Sequence, residues 1–238
     1  MSLNDYNQLA EKYRESDVKP DKRFSILPTV LKAVGSLRGK TVLDLGCGSG
    51  FFSRAFIEQG AKFVTGIDNS EVQIEEARKF AGAHEEYRLA DAFIDSLPNA
   101  DVIHAPFLIN YLAKNEEIVN FLKNVRGSLN EGGVAVFVID LPTALDLKKY
   151  GATKRVDGNM KDGAPMTITL YNGDGAVICD LHAFYISSET FGSCLREAGF
   201  SSVSIIEPVV SEKGEHLFGK DYWKEYLKDT QLGYYLCS

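Results

Sequence analysis

Residues 41–56 read TVLDLGCGSGFFSRAF. An apolar run of strand length meets three alternating glycines, Gly46, Gly48 and Gly50, and then two phenylalanines that open a helical pattern. Strand, glycine turn and helix in that order form the ligand-facing corner of an open α/β sheet. The glycine spacing then discriminates between ligands. A phosphate cradle of the G-x-x-x-x-G-K-[ST] type needs a lysine that is absent here. A dinucleotide fingerprint, G-x-G-x-x-G, needs a third glycine where Phe51 stands, and a ring there opposes close helix–strand packing. Asp44, ahead of the first glycine, sets a carboxylate where a diphosphate would be repelled. Asp44-x-Gly46-x-Gly48-x-Gly50 therefore suits a ligand with positive charge and no phosphate, approached closely by backbone that lacks a Cβ.

The segments that follow repeat the βα pattern. KFVTGID, EYRLAD, ADVIHA and GGVAVFVID read as buried parallel strands. Helices are expected from about Phe51 to Gln59, Ser70 to Ala81 and Glu116 to Ser128. Residues 1–40 hold two helical segments, one carrying YNQLAEKY and one from about Arg23 to Val34, expected to act as a lid. After Asp140 the chain turns irregular and glycine-rich, and MTITLYNGDGAVICDLHAFYI then predicts a hairpin around Asn172-Gly173-Asp174-Gly175. Residues 141–187 are thus expected to be an insertion covering the ligand edge of the sheet. A helix in SSETFGSCLREAGF, capped by Ser187 or Ser188, and strands in SVSIIEPVV and LGYYLC complete the sheet over 188–238. The whole, 1–238, is expected to be one α/β domain with a doubly wound sheet around a cofactor-binding core at 41–140.

Charge and cysteine usage narrow the function class. A formal net charge of −7 argues against a nucleic-acid partner, because duplex binding rests on Lys and Arg neutralising phosphates. Cys47, Cys179, Cys194 and Cys237 are scattered without a C-x-x-C pair, which suggests neither disulfides nor zinc and fits a reducing compartment. With no signal-peptide pattern and no apolar run of membrane-spanning length, a cytoplasmic protein without a membrane partner is expected.

VLDLGCGSG resembles the first motif of class I S-adenosylmethionine-dependent methyltransferases, and VTGIDNSEVQIEEA resembles that family's G-x-D-x-S followed by a helix. The resemblance implies a seven-stranded, mostly parallel Rossmann-like sheet and S-adenosylmethionine as cofactor, a ligand with an ammonium, a sulfonium and a carboxylate. It assigns Asp44, Gly46, Cys47 and Gly48 to the cofactor's methionine end. Asp68, 24 residues after Asp44, with Asn69, is assigned to the ribose hydroxyls. Asp91, with Ala92, is assigned to the adenine amino group. Where many relatives place a methionine against the adenine, this chain has Gln73 or Ile74. Ala105 and Pro106 in DVIHAPFLINYL fall where the family passes backbone beside the sulfonium, and Tyr13 in AEKY matches a tyrosine that closes over the cofactor. A looser similarity, in APFLINY, the hairpin insertion and DYWKEYL, is to small-molecule methyltransferases of the toxoflavin-biosynthesis type. The Asn/Asp-Pro-Pro-aromatic signature and the Pro-Cys thiol motif of nucleic-acid methylases are absent.

Such chemistry is an in-line displacement in which the cofactor supplies an activated methyl and the protein supplies alignment. A base is needed only for an acceptor that keeps its proton. His104, at the end of the fourth strand, is the candidate, with His182 in the insertion as a second; His84 and His216 lie in polar surroundings. Asp140 ends the fifth strand near where some relatives bind a metal, but their Asp-Asn pair is missing and DGNMKDG lacks the acidic spacing of a calcium loop. No metal is therefore expected. Tyr111, Tyr171, Phe184, Tyr185 and Trp223 are candidates to line an apolar acceptor pocket. The expected function is methylation of an N or O nucleophile on a small molecule. A non-catalytic S-adenosylmethionine-binding regulatory module and a protein or RNA methyltransferase are the alternatives, and oligomeric state stays open.

Overall fold

A computed structural model of the chain describes residues 4–9 and 19–238. Strands β1 (Thr41–Leu45), β2 (Phe63–Asp68), β3 (Glu85–Leu89), β4 (Ala100–Pro106) and β5 (Leu129–Asp140) pair in parallel. β6 (Ala152–Val156), β7 (Pro165–Tyr171) and β8 (Val177–Phe184) form a separate antiparallel sheet. β9 (Val203–Ile205) and β10 (Leu232–Cys237) return to the main sheet, where β10 runs antiparallel between β5 and β9. The seven strands lie in the order β3-β2-β1-β4-β5-β10-β9, so the direction of winding reverses between β1 and β4. Ligands bind outside the carboxyl ends of the strands at such a switch point.

Side chains alternate across each strand with a period of two, and this divides the core. Val42, Val64, Val102, Val136, Val138 and Tyr234 meet helices α1 (Leu27–Val34) and α2 (Phe51–Glu58) on one face. Their neighbours Leu43, Ile103, Phe137, Ile139 and Tyr235 meet α4 (Asn115–Gly127) and α5 (Ser188–Glu197) on the other. α3 (Glu71–Lys79) packs Ile74 and Ala77 against Tyr87 and Cys47. Ser70 caps α3 by accepting from Gln73 N at 3.3 Å, and Ser187, not Ser188, caps α5 by accepting from Thr190 N at 3.2 Å. Helices α2 to α5 start within a residue or so of their sequence expectation, while the segment expected from about Arg23 opens as a π-helical turn, Lys22–Ile26, before α1.

Three segments differ from expectation. The insertion is a three-stranded sheet, not a hairpin alone. Its first strand, β6, alternates buried Ala152 and Lys154 with more exposed Thr153, Arg155 and Val156, so a lysine stands where a strand pattern asks for a hydrophobe. In SVSIIEPVV only Val203–Ile205 pairs, ahead of Pro208, which lacks the ladder donor. Two further helices follow, α6 (Glu212–Phe218) and α7 (Lys220–Lys228). They bury Trp223 and Tyr226 against Leu147 and Tyr150. Tyr13 lies outside the described residues. Among those described, no helix is long and apolar enough to cross a membrane.

Candidate functional site

A cavity of about 290 Å³ opens at the carboxyl ends of β1, β2 and β4. Its floor is the glycine turn, where Gly46, Gly48 and Gly50 hold φ of 65°, 53° and 85°, values that side chains with a Cβ rarely adopt. Cys47 N donates to Ile67 O at 3.0 Å, Gly48 N to Asp68 Oδ2 at 2.9 Å, and Ser70 N to Asp68 Oδ1 at 2.9 Å. Asp68 thereby ties the turn to the start of α3. Burial raises its pKa above the ordinary carboxylate value although both N–H donors act to lower it. The Cys47 thiol is pushed up by burial and by the Asp44 and Asp68 carboxylates, which favours its protonated form.

Along the walls, β2 and α3 contribute Asp68, Asn69 and Gln73, the segment after β3 contributes Asp91 and Ala92, and the end of β4 contributes Pro106, Phe107 and Leu108. Gln73 is 2% exposed and its Nε2 has no hydrogen-bond partner among the described residues. A buried amide N–H left unmade costs about 1–3 kcal/mol, so this donor fits a ligand that completes it. Asp91 Oδ1 accepts from Phe93 N at 2.9 Å. At the mouth, Tyr6 reaches the hydroxyl of Tyr111 with its own, and the Lys22 ammonium stands 4.9 Å and 5.5 Å from the ring centres of Phe51 and Phe52. Sequence reasoning missed Tyr6, Lys22 and Phe107, which lie outside any glycine or acidic motif.

Three residues expected at the site have side chains that point elsewhere. Asp44 is fully buried beneath the turn, where Oδ2 accepts from Ser53 Oγ at 2.6 Å and Oδ1 is 2.8 Å from His104 Nδ1. His104, the expected base, is also fully buried, edge-on to Phe52 and Phe56, and does not line the cavity. The reason is register: Asp44 and His104 are direct partners of β1 and β4, so both side chains project to the α2 face. Ala105 projects to the opposite face, into the α4–α5 core. Of the other candidates, Tyr111 lines the cavity, Trp223 is enclosed by the C-terminal helices, and Tyr171, Phe184 and Tyr185 stay off its walls. His182, His84 and His216 are exposed.

A family model described as "Methyltransferase domain" matches residues 42–133. An uncharacterized protein of Haemophilus influenzae is 31% identical over 153 residues, 60% of this chain and 59% of that protein. A tRNA U34 carboxymethyltransferase of a Shewanella species is 34% identical over 110 residues, 45% of this chain and 33% of the relative. The chain therefore spans between a third and three-fifths of these curated relatives. Among solved structures, an S-adenosylmethionine-dependent methyltransferase from Mesorhizobium loti superimposes with a TM-score of 0.64 at 19% identity, over 93% of this chain and 98% of that one. A DhpI–SAM–HEP complex does so with a TM-score of 0.58 at 18% identity, over 98% and 96%. At these identities the likeness carries the fold.

Proposed function

We propose, from the premise that residues 42–133 match a methyltransferase-domain family, that the chain is a class I, S-adenosylmethionine-dependent enzyme that methylates a small-molecule acceptor. The observation that carries this is the 290 Å³ cavity on a glycine turn at the topological switch point. Its chemistry fits the donor. Backbone without Cβ at Gly46 and Gly48 offers close approach, the carboxylates of Asp68 and Asp91 offer acceptors for hydroxyl and amino hydrogens, and buried Gln73 offers an unmatched amide donor. Cys47, Asn69, Ala92 and Pro106 complete the set that would hold it.

When bound, S-adenosylmethionine supplies a methyl group activated by a sulfonium. The chain's own part is to align that carbon with a nucleophile and to exclude water, and orientation alone supplies roughly 7–11 kcal/mol. A small acceptor is favoured over a nucleic acid by the net charge of −7 and by the apolar sheet β6–β8 beside the opening. Calorimetry with S-adenosylmethionine and S-adenosylhomocysteine tests the donor half, and saturable binding of both is expected. Absence of heat with either ligand overturns the proposal. A metabolite panel read by release of S-adenosylhomocysteine tests the acceptor half, which fails if turnover is seen only with RNA or protein.

A further inference from the structure

A second cavity, of about 50 Å³, adjoins the first, and Lys22, Phe107 and Tyr111 line both. Phe107 holds φ at 61°, a strained value for a residue with a side chain, and its N–H donates to Val138 O at 2.7 Å. Opposite it lies the buried face of the insertion sheet, with Ile168, Leu170 and Leu181. Five charged residues share the lining, Lys19, Asp21, Lys22, Asp140 and Lys154, and two of them form a buried pair. Lys154 Nζ is 2.6 Å from Asp140 Oδ1, and their side chains are 2% and 8% exposed.

A buried ion pair is a poor source of stability, because apolar side chains of similar volume do as well or better. This one is also held in place with more contacts than packing requires. Lys154 Nζ donates to Gln231 O as well as to Asp140. Asp140 N donates to Asn110 Oδ1 at 2.7 Å, while Asn110 Nδ2 returns a bond to Asp140 O at 3.0 Å. An ammonium has three N–H donors and a carboxylate has about four lone-pair sites, so the pair keeps one donor and the Asp140 Oδ2 acceptor for a molecule from outside the chain. The pair is neutral in sum, so it offers a guest hydrogen bonds rather than net counter-charge. Lys19 and Asp21, 3.9 Å apart at the cavity edge, compensate each other in the same way.

We infer that this second cavity takes the methyl acceptor, a compact molecule with an apolar body and one O–H or N–H, and that Asp140 is the group that receives its proton. The inference rests on the methyltransferase reading above. As the acceptor's O–CH₃ or N–CH₃ bond forms, its O–H or N–H bond breaks and the proton passes to the Asp140 carboxylate. The electron pair of the breaking S–CH₃ bond stays on the donor's sulfur. Lys154 fixes the Asp140 carboxylate and, where the nucleophile is an oxygen, donates to the lone pair that does not attack.

Phenol and toluene, nearly equal in shape, test this by ligand-observed and methyl-observed NMR on the whole chain saturated with S-adenosylhomocysteine. The substitution Asp140→Leu with Lys154→Met removes both charges together and leaves neither unpaired. Expected is a swing of at least about tenfold from phenol towards toluene in the double variant, the worth of one charge-assisted hydrogen bond, with S-adenosylhomocysteine affinity as in the parent. In the parent itself, phenol should shift the methyl resonances of Ile168, Leu170 and Leu181, a readout that needs no variant to fold. An unchanged phenol-to-toluene preference, or shifts confined to other methyls, overturns the inference while the donor reading stands. If the parent binds no S-adenosylhomocysteine, the donor reading falls first and the acceptor assignment with it.

Discussion

A Cβ placed on Gly66 would stand 2.6 Å from the Tyr87 ring and 2.9 Å from Cys47 Sγ, so the middle of β2 must be bare for the glycine turn to sit against it. Gly66→Ala is therefore expected to lose about 1–3 kcal/mol in chemical denaturation. It should also weaken S-adenosylmethionine binding in calorimetry, because Cys47, one of the two side chains that must give way, lines the cavity. Cys47→Ala in the same chain should recover part of both losses, since it removes one of the two clashes. Asp68 carries a different tension. Its folded pKa is raised above the ordinary 3.8 by burial, so the ionised form opposes folding at pH values above the folded pKa. Protonation relieves that opposition as pH falls towards 3.8. The stability of Asp68→Asn relative to the parent should accordingly decline as pH is lowered from 7 to 4 in thermal melts. Its affinity for S-adenosylmethionine at pH 7 should fall at least about tenfold, the worth of a hydrogen bond to a charged group. Equal affinities would remove Asp68 from the donor site.

Elements reveal what a sequence carries and what it hides. The glycine turn and the strands ending in Asp68 and near Asp91 were legible because strand, turn and helix chemistry coincide there. The sidedness of β1 and β4 was not, since parallel strands covered on both faces are apolar throughout and give no polar face to read. That is why His104 could be placed at the correct strand end and still on the wrong side of the sheet. β6 was hidden for another reason: its buried position 154 holds a lysine paired with Asp140 across the fold, a partner no local pattern announces. Residues 4–9 show the same effect. Asn4 exchanges two hydrogen bonds with the His182 backbone, both 2.9 Å, and Asn7 Oδ1 accepts from Ser70 Oγ at 2.8 Å and Val72 N at 3.3 Å. This short segment thus straps the insertion sheet to α3 across the mouth that Tyr6 lines. Asn7→Ala, which loses bonds worth about 1 kcal/mol, should raise the dissociation rate of S-adenosylhomocysteine about fivefold in stopped-flow experiments. A rate within twofold of the parent would show that the strap does not hold the ligand.

Across the whole molecule the two ends of the sheet have separate duties, and their carboxylates titrate with opposite signs. The cavity opens at the carboxyl ends, where burial holds Asp68 above its ordinary pKa. At the amino ends, Asp101 joins three strands: Oδ2 accepts from Thr41 N at 2.7 Å and Thr41 Oγ1 at 2.9 Å, and Oδ1 accepts from Asn130 Nδ2 at 2.8 Å. Those bonds, the Thr41 N–H first and the Asn130 amide next, hold its carboxyl below the ordinary 3.8. A depressed folded pKa gives stability that is present above the unfolded value and is lost as pH falls through the folded one. Asp101→Asn should therefore melt below the parent at pH 7, and the two curves should converge as pH drops below 3.8. Its S-adenosylmethionine affinity should match the parent's, because the sheet separates Asp101 from the cavity. A gap that stays constant down to pH 3 would mean that Asp101 acts through its shape alone, and a weakened donor affinity would mean that the two ends of the sheet are coupled.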